Sequence, residues 1–140
     1  MPAMSSTGAT AAWASSNATA TSSAVREPIP NLALSNIVRS SVAAMAKTLA
    51  NELAGDNIRV NHLLPGRIDT DRVKQLDAIR SQATGSNVDE VRAAYAKAIP
   101  LGRYGAPEEY ASAAVFLFSD AARYITGASL QVDGGSMKSA

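Results

Sequence analysis

A long helical pattern that leads directly into a short apolar strand is the feature that most constrains this chain. Within residues 36–53, apolar side chains recur every three or four positions along one stripe: Val38, Val42, Met45, Leu49 and Leu53. This period predicts an amphipathic helix. Residues 58–64, IRVNHLL, predict a strand that is apolar enough to be covered on both faces, and Pro65-Gly66 ends it. A strand that follows a helix after a short loop is half of a βαβ unit, so the pattern predicts an α/β protein.

Two short helices are predicted next, at residues 70–80 and 88–99. Thr70 or Asp71 can cap the first helix, and Asn87 can cap the second, because these side chains accept hydrogen bonds from the free N–H groups of a first helical turn. The sequence TGSN between the two helices predicts a flexible break.

A further helix and a last strand complete the pattern. Pro107 occupies a favourable first helical position, and the helix is expected to run to about residue 119. Its predicted buried positions are Ala111, Ala114, Val115 and either Leu117 or Phe118. Residues 128–135, ASLQVDGG, predict a strand closed by two glycines. A parallel sheet of only two strands is not stable alone, so we expect this chain to hold part of an α/β sheet protein.

Residues 1–21 differ in composition from the rest. They are rich in Ala, Ser and Thr, carry no charged side chain and show no clear period. This composition predicts a low-complexity segment that is disordered or foreign to the fold. No strand is expected just before Ser22, because SNATATSS is too polar. The predicted domain therefore covers residues 22–140.

Composition excludes several classes of function. The formal net charge is +1 and the basic residues are scattered, so we expect no binding to nucleic acid or to a membrane surface. The absence of cysteine excludes disulfides and thiolate chemistry, and a single histidine, His62, excludes a histidine-based metal cluster. His62 lies in the apolar strand pattern, where we expect it to be buried. With no apolar run of about 18 residues and no signal peptide pattern, a cytoplasmic location is expected.

Three segments, in this order and spacing, resemble the C-terminal half of the short-chain dehydrogenases/reductases. They are IRVNHLLPGRIDT, IPLGRYGAPEEYASAAVFLFSD and ARYITGASLQVDGG, and the resemblance, nearest to the 3-oxoacyl reductase type, runs from about Ser22 to Gly135. It implies a Rossmann-like, doubly wound parallel sheet, here without its N-terminal nucleotide-binding half. It also implies hydride transfer between NAD or NADP and a small ketone or alcohol. In the family, the helix equivalent to residues 36–53 pairs between subunits, so a homo-oligomer is one expectation, although burial on the protein's own sheet would give the same pattern.

The resemblance also assigns residues to the site. Pro65, Gly66, Ile68 and Thr70 match a Pro-Gly-x-x-x-Thr segment that meets the nicotinamide carboxamide of the cofactor. A glycine lets backbone approach a cofactor, and backbone groups at a strand's carboxyl end can bond an amide. The alternative is that Pro-Gly merely ends the strand.

The sequence departs from the family at its catalytic pair. Ser35 and Arg39 stand where the family has Tyr and Lys, and the spacing of four puts both on one helix face. A serine hydroxyl is far less acidic than a tyrosine, whose pKa is near 10. Arg39 can donate hydrogen bonds to ribose hydroxyls of the cofactor, but it stays charged and cannot relay a proton. Ser22, 13 positions before Ser35, matches the family's substrate-orienting serine, with Ser23 as an alternative register and a plain loop hydroxyl as another.

The glycine-rich turn that would hold the cofactor's pyrophosphate is not recognisable, since SSTGATAA lacks a second glycine and a preceding strand. One hypothesis is a truncated or mis-started reading of a longer gene. Three functions stay open: an oxidoreductase with an altered catalytic pair, a pseudo-enzyme that binds or oligomerises, and an inactive fragment. Recruitment of Tyr95 as a substitute acid is a further alternative.

Overall fold

The structure, a computed structural model, describes residues 16–22, 25–28 and 30–138. The elements in chain order are β1 (Ser16–Ala20), α1 (Ala33–Glu52), β2 (Arg59–Pro65), α2 (Asp71–Thr84), α3 (Val88–Ala98), α4 (Pro107–Phe118) and β3 (Ser129–Val132). Short 3₁₀ turns lie at Ala54–Asp56 and Asp120–Ala122. The strands form one parallel sheet in the order β1-β2-β3, which confirms the α/β class.

The prediction that no strand precedes Ser22 is wrong, because β1 occupies residues 16–20. The strand is too polar to be recognised from its own hydrophobicity, because it is stabilised by pairing with β2. β1 pairs with β2 from Ser16↔Arg59 to Ala20↔Leu63, and Thr21 N–H continues the ladder to the Leu63 carbonyl at 3.1 Å. Within the described residues, the sheet therefore has three strands, not two. Residues 1–15 lie outside the described part of the chain, so for them the predicted low-complexity segment stays a prediction.

Helices cover both faces of the sheet, as the apolar run of β2 predicted. On one face, Ala46 and Ala50 of α1 pack against Val60. On the other face, Leu63 packs with Leu117 of α4 and with Ala122. Residues 59–64 are all buried. Each fully buried aliphatic side chain contributes about 1.5–3 kcal/mol to stability, so β2 is the centre of the core.

The buried faces of α1 and α4 differ from the predicted ones. Alanines, rather than the predicted larger apolar residues, make the closest contact of α1 with the sheet, because small side chains let a helix approach a strand. Val38 and Met45 are 62% and 55% exposed. In α4, Leu117 is buried as expected, but Val115 is 66% exposed. Apolar surface is thus available on the outer side of both helices.

Local capping signals were predicted well. Thr70 caps α2, because its Oγ1 accepts from the N–H of Val73, and Asn87 forms a capping box with Glu90 at the start of α3. The helix α2 extends four residues beyond the predicted end and stops at Gly85, whose φ of 68° lies in the left-handed region. The expected break between the helices is therefore shorter than the sequence indicated.

Candidate active site

Ser35 and Arg39 form a hydrogen-bonded pair in the first two turns of α1. The Arg39 Nε donates to the Ser35 Oγ at 3.0 Å. The Arg39 NH1 donates to the backbone carbonyl of Thr21 at 3.2 Å. The pair predicted from the four-residue spacing is therefore in contact, and its guanidinium is tied to the carboxyl end of β1.

Ser22 follows Thr21 directly, so it lies beside the residue that accepts the Arg39 hydrogen bond. It is partly buried, and its backbone carbonyl accepts from Val25 N–H at 3.1 Å. The alternative residue, Ser23, lies outside the described residues. The structure thus brings Ser22, Ser35 and Arg39 to one end of the sheet, and their catalytic roles stay predictions.

An open groove of about 590 Å³ adjoins this pair. Its lining comprises one cation together with hydroxyl and apolar side chains: Thr19, Ala20, Thr21, Leu34, Ser35, Val38, Arg39 and Val42. Arg39 makes no ion pair within the described part of the chain. The groove therefore offers hydrogen-bond donors and a positive charge to a ligand rich in oxygen atoms.

The segment 65–70 continues from the carboxyl end of β2, next to β1. Gly66 N–H donates to the Val132 carbonyl at 3.0 Å, and a Cβ on Gly66 would lie 2.5 Å from the Asp133 Cα. The absence of a side chain at Gly66 is thus required by the approach of β3. Whether a cofactor also uses that space stays a prediction.

Ile68 and Thr70 also have structural tasks. Ile68 is 8% exposed and forms an isolated parallel bridge with Gly105. The Thr70 side chain is engaged in capping α2. The segment is consequently held rigidly at the carboxyl edge of the sheet, where open α/β proteins bind ligands.

His62 is buried, as predicted, with 4% of its surface exposed. Its Nδ1 lies 3.4 Å from the Thr21 Oγ1, so it touches the residue whose carbonyl binds Arg39. Its Nε2 has no hydrogen-bond partner among the described residues. Burial lowers the pKa of His62, because a charged imidazolium loses its hydration there.

A buried carboxylate that the sequence argument missed lies in α2. Asp77 is fully buried and accepts from Arg67, Arg92 and Tyr104. An acidic residue between apolar neighbours in LDAI was the available signal.

The ring of Tyr95 packs on Arg67, with 3.3 Å between the guanidinium carbon and the ring centroid. No hydrogen bond between Tyr95 and either Ser35 or Arg39 occurs in the described ranges, and the recruitment of Tyr95 as a substitute acid stays a prediction.

Two further kinds of feature are missing from the described residues. No helix there is long and apolar enough to cross a membrane. Within the same ranges, no group of three or more His, Asp or Glu side chains could hold a metal ion.

Comparison with known proteins gives one family match and several close relatives. Residues 3–137 match the family model described as enoyl-(acyl carrier protein) reductase, so the match begins inside the segment predicted to be foreign. The chain is 43% identical over 97 residues to a 3-oxoacyl-(acyl-carrier-protein) reductase of Chlamydia trachomatis, covering 69% of this chain and 35% of that protein.

Many solved structures share the fold, and two of them serve as examples. A short chain dehydrogenase family protein from Francisella tularensis is 32% identical with a TM-score of 0.84, covering 89% of this chain and 51% of that one. An NADPH-bound short chain oxidoreductase from Pseudomonas aeruginosa, described as containing an atypical catalytic center, is 28% identical with a TM-score of 0.75. The alignment with that structure covers 89% of this chain and 47% of the P. aeruginosa protein. The chain therefore spans about a third to a half of the proteins it resembles.

Proposed function

The chain belongs to the short-chain dehydrogenase/reductase family, and from that premise we propose that it is part of an NAD(P)-dependent oxidoreductase. The reaction is hydride transfer between the nicotinamide and a small ketone or alcohol. One observation carries the proposal: the bonded Ser35–Arg39 pair and the segment 65–70 lie at the carboxyl ends of two adjacent parallel strands. That edge is where a nucleotide and its substrate meet in open α/β sheets.

The described residues fit the nicotinamide end of such a cofactor. Arg39 offers guanidinium donors for the ribose hydroxyls, and the backbone of segment 65–70 offers donors and acceptors for the carboxamide. When bound, NAD or NADP supplies the hydride. The bound NADPH of the P. aeruginosa relative favours the phosphorylated form.

The altered pair changes what the protein can do for a substrate oxygen. Arg39 donates to a lone pair of Ser35 Oγ, which leaves the serine O–H free to donate to a ligand. The fixed positive charge of Arg39 stabilises negative charge that develops on that oxygen. Because serine is a much weaker acid than tyrosine, we expect slow proton delivery and low turnover with simple ketones.

A second candidate, a pseudo-enzyme that binds partners, is favoured by the exposed apolar surface on α1. Leu34, Val38 and Met45 are more than half exposed there. A second copy of the chain is the occupant that the family suggests, which makes the protein a homo-oligomer. In either case we place the protein in the cytoplasm, in keeping with its lack of cysteine.

The test is titration of the purified chain with NADH and NADPH by fluorescence, followed by a turnover screen with small ketones. We expect saturable binding, and we expect the double variant Ser35→Tyr with Arg39→Lys to raise turnover about 100-fold or more. Ser41→Tyr, on an exposed position of the same helix, is the matched control and should change nothing. A folded chain that binds neither nucleotide would contradict the oxidoreductase proposal. Nucleotide binding with turnover in the double variant but none in the wild type would favour the pseudo-enzyme.

A further inference from the structure

Asp77 is the most deeply buried charged group among the described residues, with 0% of its surface exposed. Arg67 NH1 donates to its Oδ1 at 2.5 Å. Arg92 NH1 and the Tyr104 hydroxyl donate to its Oδ2 at 3.3 Å and 3.1 Å. A buried carboxylate is tolerated only when its oxygens are satisfied in this way. These partners come from the loop after β2, from α3 and from the loop before α4, so Asp77 joins three separate parts of the chain.

The two arginines are held by more than Asp77. Arg92 NH2 binds the Asp69 carboxylate at 3.0 Å, so two arginines face two carboxylates and the charges balance. Arg67 lies on the Tyr95 ring, and the guanidinium carbon of Arg92 lies 4.6 Å from the centroid of Tyr104. Such cation–π contacts fix the planes of the guanidinium groups. Each guanidinium group of the cluster is therefore held both by a carboxylate and by an aromatic ring.

The cluster holds the segment that follows Gly66 through the residues on either side of Ile68. The side chains of Arg67 and Asp69 belong to the cluster, and the backbone groups of both residues form hydrogen bonds with Gly105. Gly105 N–H donates to the Arg67 carbonyl at 2.9 Å, and Asp69 N–H donates to the Gly105 carbonyl at 2.8 Å. The backbone around Ile68 is thus positioned by two sets of bonds, one of which depends on Asp77.

We propose that Asp77 is a positioning residue that sets the conformation of segment 66–70 from within the helix α2. The helices α2 and α3 are then tied to this segment through Arg67 and Arg92. If the protein has the proposed function, Asp77 then also controls recognition of the nicotinamide end of the cofactor, and this consequence rests on that function. Asp77 does not touch the reacting atoms, and it acts through Arg67.

The first measurement is hydrogen exchange of the backbone amides of Asp69 and Gly105 by NMR, without any nucleotide. In Asp77→Asn we expect both amides to exchange about 10-fold faster, because one anchor of Arg67 has lost its charge. Asp71→Asn is the matched control, since it makes the same change on an exposed carboxylate of the same helix, and it should leave both amides unchanged. Unchanged exchange in a folded Asp77→Asn protein overturns the proposal.

The second measurement separates positioning from plain stability. Reduced nicotinamide mononucleotide contains the nicotinamide, whereas ribose 5-phosphate lacks it. We expect Asp77→Asn to weaken binding of the mononucleotide about 10-fold, in the range found when supporting residues around a site are changed, and to leave binding of ribose 5-phosphate unaltered. An equal loss for both ligands would show a merely structural role and would overturn the proposal.

If Asp77→Asn does not fold, Asp77→Glu replaces it. This variant keeps the charge and lengthens the side chain, and it should again accelerate exchange at Asp69 and Gly105 more than Asp71→Asn does. Failure of the wild-type chain to bind NADPH would count against the proposed function alone. The exchange measurement would still decide whether Asp77 fixes the segment.

Discussion

Replacement of Gly66 by alanine tests whether this glycine serves the fold or a ligand. The added Cβ would lie 2.5 Å from the Asp133 Cα, 2.6 Å from its Cβ and 3.0 Å from its carbonyl oxygen. Neither Gly66 nor Gly55, the control position, has a left-handed backbone, so alanine introduces no backbone strain at either site. Any loss of stability at Gly66 must therefore come from the contact with Asp133.

The size of this loss follows from the distances. Carbon atoms prefer a separation of about 3.5–4.0 Å, so the ends of β2 and β3 would have to move apart by roughly 1 Å. Overpacking of this kind costs about 1–3 kcal/mol. The movement also stretches the 3.0 Å hydrogen bond from Gly66 N–H to the Val132 carbonyl, which contributes about 0.5–1.5 kcal/mol. We expect Gly66→Ala to lower the free energy of unfolding by about 2–4 kcal/mol.

Urea unfolding followed by circular dichroism measures this difference. We expect the urea midpoint to fall by about 1–2 M with an unchanged slope. Gly55→Ala is the control, because no atom lies within 4 Å of the position that its added methyl group would take, and it should be neutral or stabilising by up to about 1 kcal/mol. A Gly66→Ala protein within about 0.5 kcal/mol of the wild type would refute the steric argument and leave ligand approach as the reason for glycine.

Two further predictions concern pH. Burial lowers the pKa of His62 below 6.5, so the unfolded chain binds a proton at this histidine more readily than the folded protein does. The free energy of unfolding should therefore be highest above pH 6.5 and should fall as the pH drops below that value. Thermal melts from pH 8 to 5 should show this fall in the wild type and a smaller one in His62→Leu, and parallel curves would contradict it. Hydrogen bonds from Arg103 and from a backbone N–H lower the pKa of Glu109 from 4.5 to about 2. The ionised Glu109 should therefore stabilise the folded protein above pH 4.5, and this stabilisation should be lost as the pH falls towards 2. Glu109→Gln should lower the melting temperature at pH 7 and weaken its acid dependence in that window, whereas Glu108→Gln, on the same first turn, should do neither; equal behaviour of the two variants would contradict the assignment.

Features that depend on near neighbours in sequence could be predicted. The caps at Thr70 and Asn87 need only a side chain and the next few N–H groups. The contact between Ser35 and Arg39 follows from four-residue spacing on a helix. The apolar run of β2 indicated a strand covered on both faces, which the packing confirms.

Features whose cause lies far away in sequence could not be predicted. β1 is polar and owes its conformation to pairing with β2, more than forty positions away. The Asp77 cluster draws partners from 10, 15 and 27 positions away, and no local pattern brings them together. The exposed Val115 shows the same limit, because helical period does not say which of two apolar stripes meets the sheet.

The central place of β2 has a consequence for synthesis of the protein in a cell. β2 can pair with β1 as soon as both leave the ribosome, but its partner on the other side, β3, is made much later: His62 pairs with Ser129. At about 5–20 residues per second, translation needs roughly 3–13 s to cover that distance. During this interval β2, the most apolar of the described strands, presents an unpaired edge, and the buried Arg59 still lacks the carbonyls of Leu117 and Ser119. The nascent chain is then a template for intermolecular strand pairing, so chaperone supply and translation rate, more than equilibrium stability, should govern the yield of folded protein.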